Sequence, residues 1–123
     1  MTITYASVFH YVKAQRVGDT IPLRIGPVKT PAGAAKDLTS ATLKWELWSY
    51  DRSTMIMDQD TSGVTAQIES PATAGLVTVT ISAALTAALD PGAYYDEWAI
   101  VDGNGFDRTV AHGFIEFREQ KVA

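Results

Sequence analysis

The chain has 123 residues, 46% hydrophobic and 20% charged, with a net charge of −4 and no cysteine. That is ordinary globular usage for one domain that folds unaided, and it argues against disorder. The acidic balance and scattered basic residues disfavour non-specific binding to nucleic acid or anionic lipid. The lack of cysteine excludes disulfides, thiolate metal sites and a thiol nucleophile. No stretch approaches the roughly 20 apolar residues of a membrane helix, and no basic start precedes a signal-type apolar run. The protein is expected to stay where it is made or assembled.

Alternation of apolar and polar residues dominates the chain. Ser7 to Gln15 reads as a first strand, with Val8, His10 and Val12 on one face and Phe9, Tyr11 and Lys13 on the other. Residues 1–15 thus form an N-terminal arm or extra strand on a single domain spanning 1–123. After a turn at Gly18-Asp19, Thr20 to Val28 sets Ile21, Leu23 and Ile25 against Pro22 and Arg24. Pro22 and Pro27 each remove a ladder donor and predict an edge strand or a bulge. Thr30 to Ala35 is a loop. Ala41 to Tyr50 is the clearest strand: Ala41, Leu43, Trp45 and Leu47 make a dry face, and Thr42, Lys44, Glu46, Trp48 and Tyr50 the other.

Met55 to Asp58 and Val64 to Glu69 are shorter strands around a Thr61-Ser62-Gly63 turn, and Leu76 to Ser82 alternates cleanly. Ala83 to Leu89 is the one helical candidate, a connector of about two turns. Asp90-Pro91-Gly92 stops it, because Pro lacks an N–H and Gly tolerates positive φ. Tyr94 to Asp102 and Arg108 to Arg118 form a final hairpin across Gly103-Asn104-Gly105. Seven or eight short strands with turn signals roughly every 8–12 residues predict an all-β antiparallel sandwich, with an open barrel as the rival. Tyr94, opening a strand just after a corner, is placed to brace the crossing between two sheets through its hydroxyl. The expected core is Leu43, Trp45, Leu47, Val77, Val79, Ile81, Trp98, Ile100, Ile115 and Phe117.

The order of these signals resembles a known module. Gly18-Asp19-Thr20-Ile21-Pro22-Leu23, Gly33, and Asp37-Leu38-Thr39-Ser40-Ala41-Thr42-Leu43 running into the Trp45 strand come first. Leu76-Val77-Thr78-Val79, Thr86-Ala87-Ala88-Leu89, Pro91-Gly92-Ala93-Tyr94-Tyr95, Asp102-Gly103-Asn104-Gly105 and Gly113-Phe114-Ile115 follow in sequence. From Val17 to Phe117 the chain is similar to the immunoglobulin-like module of tailed-bacteriophage virion proteins, and to the N-terminal domain of phage baseplate upper proteins in particular. It departs from them in its extra N-terminal strand, and the sequence stops where baseplate upper proteins usually run on. The resemblance implies an immunoglobulin-like β-sandwich with one short helical connector and a scaffolding role in the virion after synthesis in the host cytoplasm. It implies no catalytic residues.

Candidate chemical sites are weak on their own residues. His10 and His112 are far apart, and a zinc site needs three or four converging ligands. There is no Gly-x-Ser-x-Gly elbow. Asp102, Asn104 and Asp107 sit in a Gly-rich loop that is either a tight hairpin turn or a partial calcium loop; the latter lacks the closing bidentate Glu. Asp58 and Asp60 lie two apart on the same side of a short strand or turn, and Asp96 and Glu97 are consecutive and face opposite ways in a strand. Neither arrangement makes a hydrolytic cleft, and solvated faces are expected. No enzyme activity and no cofactor are expected.

The aromatic residues are more informative. Trp45 and Trp98 belong to the core, whereas Trp48 and Tyr50 fall on the outer face beside Lys44 and Glu46 and need a cover. The N-terminal strand, a loop, a neighbouring subunit or a sugar ring would serve. The N-terminal segment, with Ile3, Tyr5, Phe9 and Tyr11, is a candidate strand for addition to a neighbour's sheet edge. The expected partners of Ile3, Tyr5, Phe9, Tyr11, Trp48 and Tyr50 are further copies of the chain and other phage virion proteins. The expected role is a tail, baseplate or adaptor component; the alternatives are capsid decoration or fibre anchoring, and a carbohydrate-binding module. Nucleic acid and membrane are not expected partners.

Overall fold

The alternating strands assemble into two facing sheets. The structure is a computed structural model that describes residues 8–30, 32–102 and 107–119. Its strands are β1 (Val8–Arg16), β2 (Ile21–Ile25), β3 (Thr42–Ser49), β4 (Met55–Asp58), β5 (Val64–Ile68), β6 (Val77–Ile81), β7 (Gly92–Val101) and β8 (Asp107–Arg118). A single-turn 3-10 segment, Ala72–Ala74, precedes β6, and the helix α1 (Ala83–Ala87) joins β6 to β7. The larger sheet has the order β1-β8-β7-β3-β4 and the smaller β2-β6-β5. In this order β2, β6 and β5 correspond to strands B, E and D of an immunoglobulin-type sandwich, and β3, β7 and β8 to C, F and G. The open-barrel alternative is excluded by the two separate sheets.

One pairing departs from the antiparallel expectation. β1 runs parallel to β8, with Phe9 opposite His112 and Tyr11 opposite Phe114 in the register. β8 is long enough to offer a free edge, and residues 8–16 fill it within the same chain, so a neighbour's edge is not needed to order them. The pairing continues past the strands through Val17 N–H to the Arg118 carbonyl at 3.0 Å. Pro22 lies on β2, an edge strand, the place in a sheet where a residue without an N–H is tolerated.

All of the expected core residues are buried, and Trp45 and Trp98 have no exposed surface. They are direct cross-strand partners on β3 and β7. The strand period explains why: Leu43, Trp45 and Leu47 alternate inward against Val77, Val79 and Ile81 of the facing sheet. Leu38 adds to the core from the loop after β2, which is laced to the 3-10 segment by Leu38 N–H to the Ala72 carbonyl at 3.0 Å and Val28 N–H to the Gly75 carbonyl at 2.8 Å. Gly26 (φ +132°) and Gly75 (φ +71°) permit this close approach. A Cβ on Gly26 would stand 2.8 Å from the Gly75 carbonyl oxygen, and one on Gly75 would stand 2.8 Å from that of Val28.

The connector is pinned from inside. Ser82 caps α1 by accepting from Leu85 N–H. The buried Thr86 donates its hydroxyl to the Asp19 carbonyl at 2.6 Å and accepts from Gly18 N–H at 3.0 Å, tying the helix to the β1–β2 turn. At the next corner the Tyr94 hydroxyl donates to the Asp90 carbonyl at 2.6 Å, as the corner motif predicts, while its ring packs edge-on against Phe117 at 5.7 Å.

Asp96 overturns an expectation. Far from lying on a solvated face, it points inward from β7 and is fully buried. Its Oδ2 accepts from Trp98 Nε1 at 2.9 Å and from Trp45 Nε1 at 3.4 Å. Parity explains it: Asp96 is two residues from Trp98, so it shares the core face, and the indole N–H groups there need an acceptor. Asp96→Ala is expected to lower stability by at least about 2 kcal/mol, because it leaves buried donors unsatisfied. Asp96→Asn, which keeps a carbonyl acceptor, is expected to lose less. Urea denaturation of the two variants checks the order.

Candidate functional site

The residues that alternate away from the core build the outer face of the larger sheet. Two neighbouring rows cross it. In one, the register sets Trp48 of β3 beside Tyr95 of β7, and Tyr95 beside Phe114 of β8. In the next, Asp58 of β4, Glu46 of β3, Glu97 of β7 and His112 of β8 follow one another. The aromatic row is packed: Tyr95 and Phe114 meet at 5.7 Å and 65°, and Tyr95 lies 6.4 Å from His112.

A loop covers one end of the aromatic row, and its sequence explains its shape. Asp51 Oδ1 accepts from the Ser49 hydroxyl at 2.8 Å, from Ser53 N–H at 3.0 Å and from the Ser53 hydroxyl at 2.7 Å. The Ser53 and Ser49 hydroxyls pull the Asp51 carboxyl down to about 2. This Asp-centred turn carries Arg52 at φ +63°, a conformation L residues rarely adopt. From there the Arg52 guanidinium reaches over the Tyr95 ring, 3.9 Å from its centroid. Tyr50 leaves the end of β3 and leans on Phe114, ring centroids 5.3 Å apart, with 65% of its surface exposed.

The acidic row is less compensated. Glu46 Oε1 accepts from Trp48 Nε1 at 3.4 Å, and Glu97 Oε1 from the Thr109 hydroxyl at 3.0 Å. Neither carboxylate forms an ion pair among the described residues. A concavity of about 390 Å³ lies over them, lined by Lys44, Glu46, Gln59, Glu97, Ala99 and Thr109. A second, of about 180 Å³, is lined by Trp48, Arg52, Tyr95 and Glu97.

Of the contact residues expected from sequence, Trp48 and Tyr50 fall on this face, Trp48 half-buried and Tyr50 largely open. Phe9 and Tyr11 occupy register positions at the far edge, in the rows of His112 and Phe114; their side chains, with all of Ile3 and Tyr5, lie outside the described residues. The cover over the aromatic row is therefore partly the chain's own loop. Tyr95, Arg52 and Phe114 were not legible as site residues, and Glu97 and His112 stood out only as candidates for hydrolysis and metal binding. Tyr95 and Phe114 join Trp48 only through strand register, although Asp51-Arg52-Ser53 does carry a local turn signal.

The other candidates do not converge. Asp58 Oδ1 accepts from Asp60 N–H at 2.9 Å and from the Thr61 hydroxyl at 3.3 Å, which makes it a turn cap. Asp102 pairs with Lys36 at 3.4 Å, whereas Asn104 and the Asp107 side chain lie outside the described residues. His10 pairs with Gly113 in the register, and its side chain is likewise not described. Among the described residues no group of three His, Cys, Asp or Glu side chains is placed to hold a metal ion, and no helix is long and apolar enough to cross a membrane. No protein-family model matches the chain, and no curated protein matches it in sequence.

Burial, and after it the nearby charge of Glu97, raises the Tyr95 phenol above its usual 10.0, against the opposing pull of Arg52. The folded state then holds the Tyr95 proton more tightly than the unfolded chain does. Its contribution to stability is complete below about pH 10 and is lost as pH rises from there through the folded value. Tyrosinate absorbance of wild type minus Tyr95→Phe is expected to isolate a phenol that ionises later than a free tyrosine, and Tyr95→Phe should soften the alkaline loss of stability. A missing phenol that titrates at or below the ordinary value contradicts this.

Proposed function

We propose that this chain is a non-enzymatic structural protein of a tailed-phage particle, a tail, baseplate or adaptor component that works in multiple copies. Two observations support the reading. The run of turn and strand motifs from Val17 to Phe117 resembles the phage virion module, and the chain folds as an all-β sandwich of the implied kind. The observation that carries it is the placement of exposed apolar surface. Among the described residues the exposed large hydrophobics are Tyr50, Met55 and Ile56, all on the β3–β4 hairpin beside Trp48. A concentration of that sort on one edge and face marks a contact surface, since scattered apolar residues would carry no such meaning.

The other readings have less behind them. Sugar stacking asks for open, side-by-side ring faces, and here Arg52 already occupies the face of Tyr95 while Tyr50 tilts onto Phe114. Capsid decoration or fibre anchoring would use the same surface on a different lattice. Virion assembly places the finished protein in the particle after synthesis in the host cytoplasm.

Mass spectrometry of purified particles from the phage that encodes the chain is expected to find it in many copies, released only by denaturation. Tyr50→Ser with Met55→Ser should leave the sandwich folded, since both side chains are exposed, and should reduce incorporation at least about tenfold, as loss of apolar contact area does. Absence of the protein from the purified particles overturns the proposal.

A further inference from the structure

The acidic row on the outer face poses a problem that the fold does not solve. Glu46 stands directly across from Glu97 on one side and from Asp58 on the other. Directly opposed side chains on neighbouring strands have Cβ atoms about 5 Å apart, and like charges in that position repel. Lys44 and Arg52 line the same concavities, yet neither glutamate is within ion-pair distance of a cation among the described residues. The row runs beside the aromatic row, and the two meet where Trp48 Nε1 donates to Glu46. The concavities over the two rows both have Glu97 in their lining and adjoin there as a trough.

We propose that this trough docks an arginine-bearing segment of a partner protein, the guanidinium lying between the Glu46 and Glu97 carboxylates and stacking on Trp48. It gives a partner chemistry to the contact surface proposed above and rests on that reading only in treating this face as a contact surface. Arginine fits better than lysine, because a planar fork can bond a carboxylate and stack on a ring at once. The face shows its capacity for a guanidinium with its own Arg52, 3.9 Å over the Tyr95 ring.

A second copy of the chain is the poorer occupant. Face-to-face pairing would set one acidic row against another. The outer face of the smaller sheet is mostly neutral, with Thr78 and Thr80 on β6 and Thr65 and Gln67 on β5. Its Arg24 is already bonded to Glu69 at 2.6 Å. Neither sheet face of a second copy offers the complementary charge, which favours a different protein as the occupant.

Titration of the isotope-labelled full chain with a hexa-arginine peptide tests the proposal through the indole N–H signals. The Trp48 signal is expected to shift, while those of the sealed Trp45 and Trp98 stay still. Binding should weaken with added salt, and a hexa-lysine peptide should bind less tightly. Glu46→Gln with Glu97→Gln is expected to weaken hexa-arginine binding about tenfold or more, whereas the exposed, off-trough Asp60→Asn leaves it unchanged. Should the double variant misfold, the site-specific shift of Trp48 and its salt dependence in the wild type decide the matter. An unmoved Trp48 signal, equal binding by a folded double variant, or self-association that the double variant abolishes would each overturn the proposal. The particle assay above and this titration read different properties, so either reading can fail while the other stands.

Discussion

Two indole N–H groups in a dry core need an acceptor, and Asp96 is the group that meets both. Its carboxylate lies between Trp98 and Trp45, paired residues on the central strands β7 and β3. An unpaired carboxylate at that depth would be costly, and so would two unbonded indoles. Together they form a polar knot whose Trp45 bond crosses from β3 to β7, so a shift of either strand would separate that indole from the oxygen. The apolar core closes around it: Val77, Val79 and Ile81 from the facing sheet, Ile115 and Phe117 from β8.

The outer face inherits its order from that knot. Strand side chains alternate, so a register that sets Trp45 against Trp98 inside also sets Glu46 against Glu97 and Trp48 against Tyr95 outside. The like-charged row and the aromatic row are therefore consequences of core packing as much as features of a surface. The loop from Ser49 to Thr54 completes the face. Its Asp-centred turn holds Arg52 in a rare backbone conformation and aims the guanidinium at Tyr95. An energetically unfavourable local geometry is kept there because hydrogen bonds around Asp51 and a cation–π contact at the tip both oppose its relaxation.

The ends of the sandwich are closed by different means, all of them backbone-directed. Thr86 ties α1 to the first turn from within, Tyr94 ties the start of β7 to the preceding corner, and Gly26 and Gly75 let two loop backbones touch where any side chain would collide. Each satisfies polar groups at a place where a sheet ends and its ladder no longer can.

Period two and turn chemistry determined a great deal from sequence alone: the all-β class, nearly every strand, the inward set from Leu43 to Phe117, and the Tyr94 corner. These are local properties, since alternation, Pro, Gly and a Tyr after a corner act over a few residues. The parallel seat of β1 on β8, the inward turn of Asp96, the reach of Arg52 over Tyr95 and the grouping of Trp48 with Tyr95 and Phe114 were decided only by the tertiary structure. Each depends on which strand lies beside which and in what register. That is a property of pairs of segments distant in the chain, and alternation within one strand carries no information about its neighbour. Asp96 shows the limit most clearly: its parity placed it on the Trp98 face, but only the packed core, with a second indole arriving from β3, supplies the reason a carboxylate is stable there.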